Sequence, residues 1–556
     1  SDSISMTPIS SNGGTSLQFD VVIAGGGFAG VYCARALARQ LGEKAHRRVA
    51  LLADQNFMVF QPMLAEVVGS SISPRHIVNP LRRLCPGVTV LRGSIQTIDL
   101  DGRRLVVNAG DFTQNVDVRF EHLVLAFGGI VDLSRVPGMP EHAFLLKNVG
   151  DALKLRAAII DRFEEAALEA RVEERRRLLT FVVVGGGYSG VETAGQIHDL
   201  GAEILSFYPR LQAEEFRVAL IHSGEHLLPE ISASLGAYCE ANLRARGVEL
   251  ILGARVSAMT ASKVWFGEGA MIETHTVIST VGNAPHPLLT ELCRANKLTC
   301  EKGRVITEPT LRVEGSTQLW AAGDCAAVPM PSPKAGSPTD ARRFCPPTAQ
   351  FATRQGTLLG ENIARVLMES EAPRAFTFTG LGELASIGHH AAVAEILGMK
   401  FSGFIAWWLW RSIYLLKLPG LERKLRVMLD WTLDLFFPRD ITLFQSKPTQ
   451  ILREMHLEKG DTLFNAGEPA FSFYIVKTGS IQLSSPDGES GRSVGPGDHF
   501  GERALLHDRV WQVSAVAAER TVLVALGASV FDTITRADHS IRDLLLKTAS
   551  TPLRDT

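Results

Sequence analysis

Two short runs carry the residues best suited to chemistry. Gly25, Gly27 and Gly30 follow the spacing G-x-G-x-x-G, and Gly185, Gly187 and Gly190 repeat it. Glycine lets the chain turn tightly and lets backbone N–H groups close on a pyrophosphate at the start of the next helix. One such run is weak evidence, because any α/β protein can carry a glycine-rich turn. Two runs, each behind an apolar strand and ahead of a helix, predict two dinucleotide sites. One would hold FAD and the other NADH or NADPH, set so that one cofactor reduces the other.

The partners of these loops are less regular. An acid at the end of the second strand of each unit would hydrogen-bond the adenine ribose. In the first unit Ala53 stands at that place and Asp54 one residue later. A slip of one residue reverses the face of a strand, so Asp54 is either a ribose ligand or a plain surface carboxylate. In the second unit the strand ends in Ile221, His222 and Ser223. With no acid there to repel a 2′-phosphate, NADPH is tolerated; the alternative is that His222 is an incidental surface histidine. Asp324, in Ala-Ala-Gly-Asp, is expected to accept from a ribitol hydroxyl, with a helix N-terminus beyond it. A helix N-cap is its plain alternative.

The elements that must position these residues define an α/β chain with two Rossmann-like domains, one inserted in the other. FDVVIAGGGFAG leads into a helix, RRVALLAD is the next strand and EHLVLAFGG another. LLTFVVVGGGYSGVETAG and FRVALIHSG repeat the pattern, and GSTQLWAAGDCAAVP returns the chain to the first domain. A long polar, heptad-like helix is expected over about 150–176. The expected divisions are a disordered lead-in at 1–17, an FAD-binding domain at 18–150 and 301–375, an NAD(P)H-binding domain at 151–300, an amphipathic helical region at 376–443 and a last domain at 444–556.

Composition narrows the class further. The 556 residues carry a formal net charge of -2, which argues against nucleic acid as a partner. The seven cysteines form no C-x-x-C pair and no regular framework, as expected in a reducing compartment. The amino end lacks the basic and apolar regions of a signal peptide. Residues 401–437 mix Phe404, Trp407, Trp408, Trp410, Tyr414 and Trp431 with Arg411, Lys417, Arg423, Lys424 and Arg426. Basic residues among Trp and Leu fit an interfacial helical pair on a membrane surface better than a spanning helix. A buried hairpin or a dimer interface is the rival. Residues 445–548 alternate short apolar runs with turns, as in a small antiparallel barrel or sandwich with a helix at each end.

Together these motifs resemble the type II, non-proton-pumping NAD(P)H:quinone oxidoreductases over about 18–443. GGGFAG is similar to that family's FAD loop and GGGYSGVETAG to its nicotinamide loop. NFMVFQPMLAEVVGSSISPRHIVNPLR resembles the segment over the flavin, AAGDCA and PPTAQFATRQG the later flavin and quinone motifs, and GELASIGHHAAVAEILGMKFSGFIAWWLW the start of the membrane-binding region. The resemblance implies hydride transfer from NADH or NADPH to FAD, then two electrons to a membrane quinone, by a peripheral enzyme on the cytoplasmic face of the membrane, in homodimeric form. It implies that Glu192, on the first helical turn and aimed toward the flavin, helps relay protons. It implies that Gln350 lines the quinone pocket beside Ala349 and Phe351, and that Gln61 and Pro62 shape the loop above the flavin. Gln355 shares a helix face with Phe351; a polar surface position is its alternative. Phe127 replaces a customary Thr, and His222 replaces the acid of many NADH-selective members.

The last domain resembles a cyclic nucleotide-binding domain, through LEKGDTLFNAGEPAFSFYIVKTGSIQL and FGERALL. The resemblance implies that Glu502 binds a ribose 2′-OH beneath backbone donors near Gly501 and Ala504. The arginine expected on the cyclic phosphate aligns with Gln512, which supplies neither cation nor fork. Arg509 is near enough to substitute. A degenerate barrel serving as a partner surface is the rival reading. For the whole chain the rivals are a flavin-based redox sensor and a flavin reductase serving another acceptor.

Overall fold

The structure, a computed structural model, describes residues 7–8, 15–110, 113, 115–331, 343–369, 371–388, 390–443, 453–468, 470, 472–485, 491–506, 510–528 and 531. The chain forms two compact units, Ser1–Phe444 and Gln445–Thr556.

In the first unit, β1 (Thr15–Ala24) runs into the first glycine loop and α1 (Phe28–Leu41). The fully buried β2 (Val49–Ala53) lies parallel beside β1. The short helix α2 (Leu64–Val68) follows, then β3 (Thr89–Arg92), β4 (Ser94–Asp99), β5 (Arg104–Asn108) and β6 (Val116–Leu125). The strand order is β3-β2-β1-β6-β5-β4. Val, Ile and Leu on both faces of β1 and β2 mark a sheet covered on both sides.

The second domain opens with α3 (Val149–Leu168) and α4 (Val172–Leu178). The single helix expected over about 150–176 is therefore broken. The Arg175 guanidinium takes the carbonyls of Glu169 and Ala170 and is itself held by Glu215. Nor is α3 polar all round: Leu155, Ile159, Ile160 and Phe163 are buried along one face. Then come β7 (Thr180–Val184), α5 (Tyr188–Ile204), β8 (Arg217–Ile221), β9 (Glu249–Ile251) and β10 (Thr276–Ser279). They form a parallel sheet of order β10-β7-β8-β9, with Phe144–Leu145 beside β10.

β11 (Leu319–Ala321) returns to pair parallel with β6, as expected. It leads to α6 (Ala349–Leu367), which packs along α1. Beyond it the structure departs from the helical reading of 376–443. β12 (Gly382–Gly388), β13 (Ala391–Ile396) and β14 (Met399–Ser402) form an antiparallel meander, turned at glycines with positive φ such as Gly388 and Gly398. Helices begin only at α7 (Gly403–Lys417) and α8 (Leu421–Leu433). Trp407, Trp410 and Trp431 join the core of the second domain.

The second unit holds two four-stranded antiparallel sheets. Its core contains Phe464, Tyr474, Phe500 and Trp511. A short helix, Glu502–Leu506, sits between the strands His499–Phe500 and Ser514–Ala517. The helices expected at either end of this unit lie outside the described residues.

Candidate functional site

A cavity of about 370 Å³ opens at the carboxyl ends of β1, β2 and β6. This is where an open α/β sheet presents ligand sites. At Gly25 φ is +126° and a Cβ would stand 2.2 Å from the Ala126 carbonyl oxygen; at Gly30 it would stand 1.9 Å from the Gly25 oxygen. Those two glycines are required by the chain's own packing. At Gly27 a Cβ would meet nothing within 4 Å, so that position faces open space. The second loop repeats the pattern. A Cβ on Gly185 would lie 2.5 Å from Thr280 Oγ1 and one on Gly190 1.7 Å from the Gly185 oxygen, while Gly187 again has nothing within 4 Å. Both loops are thus cradles with room for a phosphate against the middle glycine.

Ala53, Asp54, Gln61, Asp324 and Ala349 all line the first cavity. The Gln61 amide is anchored by donating to the Lys147 carbonyl at 3.3 Å. Asp324 lies in a tight turn, Gly323–Cys325, followed by the short strand Ala326–Ala327. Among the described residues directly behind it, as far as 331, no helix starts, and it caps none. Two helices start at this cavity, α1 through Phe28 and Ala29 and α6 through Ala349 and Ala352. Burial pushes the Asp324 carboxyl up, and Lys147, on the same wall, draws it back down. A carboxylate acceptor, a lysine and two helix N-termini fit the hydroxyls and charges of a flavin dinucleotide.

Gln355 is buried, and its Oε1 accepts the Gly323 N–H at 2.9 Å. It therefore positions the Asp324 turn, a buried role in place of the polar surface alternative. Gln350 is tied to the start of the meander: it donates to the Gly382 carbonyl at 3.3 Å and to Glu383 at 3.2 Å, and it accepts from Leu381. Glu383 in turn lies against Tyr188 and Lys417, where burial raises its carboxyl and depresses the Lys417 ammonium.

His222 accepts the Gly186 N–H on Nδ1 at 3.1 Å. It is half-buried beneath the second glycine loop, and burial pushes its pKa down. It props the loop as a neutral acceptor and is not an incidental surface group.

Glu192 is the fifth residue of α5, one step beyond the first turn where it was expected. It is 8% exposed. Its Oε1 accepts from the Ser386 N–H at 3.0 Å and from Trp410 Nε1 at 3.2 Å. Burial, with a smaller push from nearby Glu66, raises its pKa to about 8 against those two donors. A carboxyl that holds its proton near neutral pH can donate it. Lys147 escaped the sequence reading because it belongs to no spaced motif; Glu66 and Glu383 lie unnamed within the quoted segments, and Lys417 is named there only as one of the basic residues of 401–437.

The tryptophans of 401–437 do not act as one group. Trp407, Trp410 and Trp431 point inward, whereas Trp408 is 59% exposed. Phe404, Ile405 and Leu416 on α7 and Leu421, Leu425 and Leu429 on α8 are exposed with it, and Phe436 and Phe437 follow. Among the described residues no helix is long and apolar enough to cross a membrane.

In the second unit, Gly501 has φ +106° and Glu502 opens the short helix. Glu502 Oε2 is buried without a hydrogen-bond partner among the described residues. Trp511 stacks on Phe464 at 3.6 Å and Gln512 is exposed. Arg509 lies outside the described residues.

The pyridine nucleotide-disulphide oxidoreductase family matches residues 19–356, the NDH2 C-terminal domain matches 381–440, and the cyclic nucleotide-binding domain matches 454–538. The chain is 32% identical over 422 residues to the type II NADH:quinone oxidoreductase Ndh of Mycobacterium tuberculosis, covering 74% of this chain and 87% of that protein. It is 30% identical to NdhA of the same organism, over 74% and 86% of the two chains. Its fold matches a solved structure of NDH2 from Plasmodium falciparum in complex with NADH, with a TM-score of 0.70, 18% identity, and 76% and 99% of the two chains covered.

Proposed function

The chain belongs to the type II NAD(P)H:quinone oxidoreductase family, and on that premise we propose that it passes hydride from NADH or NADPH to FAD and then two electrons to a membrane quinone, without pumping protons. The observation that carries this reading is the matched pair of glycine cradles, each with its middle position open. The chemistry a flavin supplies when bound is acceptance of hydride from a nicotinamide and delivery of two electrons to a quinone.

The chain's own residues position and protonate. Gly25, Gly27 and Gly30 hold the FAD pyrophosphate, while Asp54 and Asp324 hold its hydroxyls. Gln61, with Pro62, would shape the loop above the flavin. Gly185, Gly187 and Gly190 hold the nicotinamide dinucleotide, with His222 beneath. Gln350 orients the quinone from the start of α6, and Gln355 keeps the Asp324 turn in place. Glu192 donates a proton to the quinone oxygen. The exposed apolar residues of α7 and α8, flanked by Arg423, Lys424 and Arg426, dock on the membrane surface where quinone resides. This attachment is peripheral, on the cytoplasmic face. In the second unit Glu502 offers a free carboxylate oxygen to a cyclic nucleotide's ribose, and Gln512 in the arginine's place makes that binding weak.

Rapid mixing tests the whole reading. Flavin reduction by NADH and NADPH is followed first, then reoxidation by a soluble quinone analogue, with and without cyclic AMP or GMP. Fast reduction followed by quinone-driven reoxidation is expected. Gln350→Leu should slow the second phase more than the first; equal slowing would remove its assigned role. Fast reduction without reoxidation would point to another acceptor or to a sensor.

A further inference from the structure

A second cavity, of about 470 Å³, lies beside α5 and is separate from the cofactor cradles. Its lining is charged: Gln196, Asp199 and Glu203 from α5, Arg411 from α7, and Asp434 and Arg439 from beyond α8. Ala202, exposed on α5, stands at its rim, so the chamber opens to water. Glu66, on α2, forms part of its wall although only 3% exposed.

Three observations link this chamber to Glu192. First, Glu192, Gln196, Asp199 and Glu203 recur at i, i+4, i+7 and i+11, so one polar stripe of α5 runs from Glu192 into the chamber. Secondly, α2 packs on α5. Thirdly, the two carboxyls are held alike. Glu66 Oε2 accepts from Trp431 Nε1 at 2.9 Å as Glu192 Oε1 accepts from Trp410 Nε1 at 3.2 Å, and the two indole rings are 6.3 Å apart. Two buried carboxyls thus stand near one another, and only Glu66 reaches the chamber.

We propose that Glu66 is the relay that reloads Glu192, drawing protons from this chamber and passing them inward toward the quinone. The proposal rests on the assignment of Glu192 as proton donor. The overall reaction is NAD(P)H + H⁺ + quinone → NAD(P)⁺ + quinol. The nicotinamide supplies two electrons and one proton as hydride. The second proton leaves the Glu192 carboxyl as the quinol O–H forms; Glu66 then gives its proton to the Glu192 carboxylate and regains one from water. The groups facing Glu66 are Arg411, Asp434 and Arg439 along with the Trp431 indole. Those facing Glu192 are Glu66, the Ser386 N–H, Trp410 and Tyr414. Burial pushes both carboxyls up, while Arg411 and Arg439 draw Glu66 back down, so it gives up its proton more readily than burial alone would allow.

A purely structural Glu66 would only anchor Trp431. Glu66→Gln separates the two roles, because its carbonyl oxygen still accepts the indole N–H but cannot carry a proton. In the holoenzyme E66Q should leave flavin reduction by NADH at the wild-type rate. It should slow reoxidation by a soluble quinone about tenfold or more and enlarge the solvent deuterium isotope effect, and formate diffusing into the chamber should restore the rate. Ala202→Trp, which narrows the chamber mouth without touching Glu66, should also slow reoxidation, and it decides the matter alone if E66Q does not fold. A reading without turnover is hydrogen–deuterium exchange of the Glu192 carboxyl, followed by its infrared band, which should be slower in both variants. If E192Q slows reoxidation while E66Q and A202W change neither rate nor exchange, the relay is wrong and Glu192 keeps its role. If E192Q reoxidises at the wild-type rate, the reading beneath the relay fails instead.

Discussion

Gly27 and Gly187 occupy the same place in two loops, each with open space where a Cβ would be, but the ground around them differs. Around Gly27 the chain sets two carboxylates, Asp54 and Asp324, together with Lys147 and the start of a second helix. Beneath Gly187 it sets an imidazole, which accepts from the loop's own Gly186 N–H and lies within electrostatic reach of the Glu230 carboxylate. The first cradle is walled by fixed charges and contributed to by distant segments, as suits a cofactor that stays. The second has its backbone and the His222 prop, with Glu230 nearby and, among the described residues, no lysine or second helix start, as suits a co-substrate that must leave after each hydride transfer. The shared glycine spacing explains pyrophosphate binding in both; the neighbours decide how long the ligand stays.

The largest effect that would break this comparison comes from filling the open positions. Gly187→Leu should slow flavin reduction by NADH and NADPH by about a hundredfold or more, because the nicotinamide can no longer approach in register. The purified protein should still carry its flavin, visible by absorbance. Gly27→Leu should instead yield protein without flavin. If both variants lost the flavin, the two cradles would not be independent.

These two loops were also the most legible part of the sequence, and the reason is local. A buried strand, a glycine turn and a helix lie within one contiguous stretch, so spacing alone reports them. β11 was legible for the same reason, as a short apolar run ahead of a tight turn. What was not legible depends on contacts between distant segments. Glu192 is legible from its place after the second glycine loop, but its donors are not, because Ser386 and Trp410 lie far along the chain. The meander at 382–402 is hidden in the helical reading of 376–443 because the resemblance joins it to the aromatic run that follows, and only the glycine turns betray the strands. The tryptophans were read as one interfacial group. Their spacing separates them, since Trp407 and Trp410 share the inner face of α7 while Trp408 shares the outer one with Phe404.

A second prediction sharpens the contrast between charged and neutral ground. Folding raises the Glu192 pKa from 4.5 to about 8. As pH rises between those values the unfolded chain loses this proton first and the folded chain keeps it, so stability falls across that window and levels off above it. Glu192→Gln removes the slope while its carbonyl still accepts from Ser386 and Trp410. The variant should therefore gain thermal stability over the wild type between about pH 5 and about pH 8, by up to roughly 3–5 kcal/mol. Melting temperatures at the two pH values test this, and an unchanged gap would mean that Glu192 is ionised in the folded protein.

The smallest expected effect concerns the second cradle's choice of donor. His222 stands where an acid would accept from the ribose hydroxyls of NADH and repel the 2′-phosphate of NADPH. Being neutral, it does neither. His222→Asp would put a carboxylate at that strand end while keeping an acceptor for the Gly186 N–H. The ratio of kcat/KM for NADH over NADPH should then rise by roughly tenfold, equivalent to about 1.4 kcal/mol. His222→Asn, of the same size but uncharged, should leave the ratio near its starting value. This pair of variants separates charge from shape. If both moved the ratio equally, His222 would act by propping the loop alone, and the selectivity of the second cradle would lie elsewhere on its rim. If only the aspartate moved it, the missing carboxylate at the end of that strand, where His222 stands, would be what admits both nicotinamide donors.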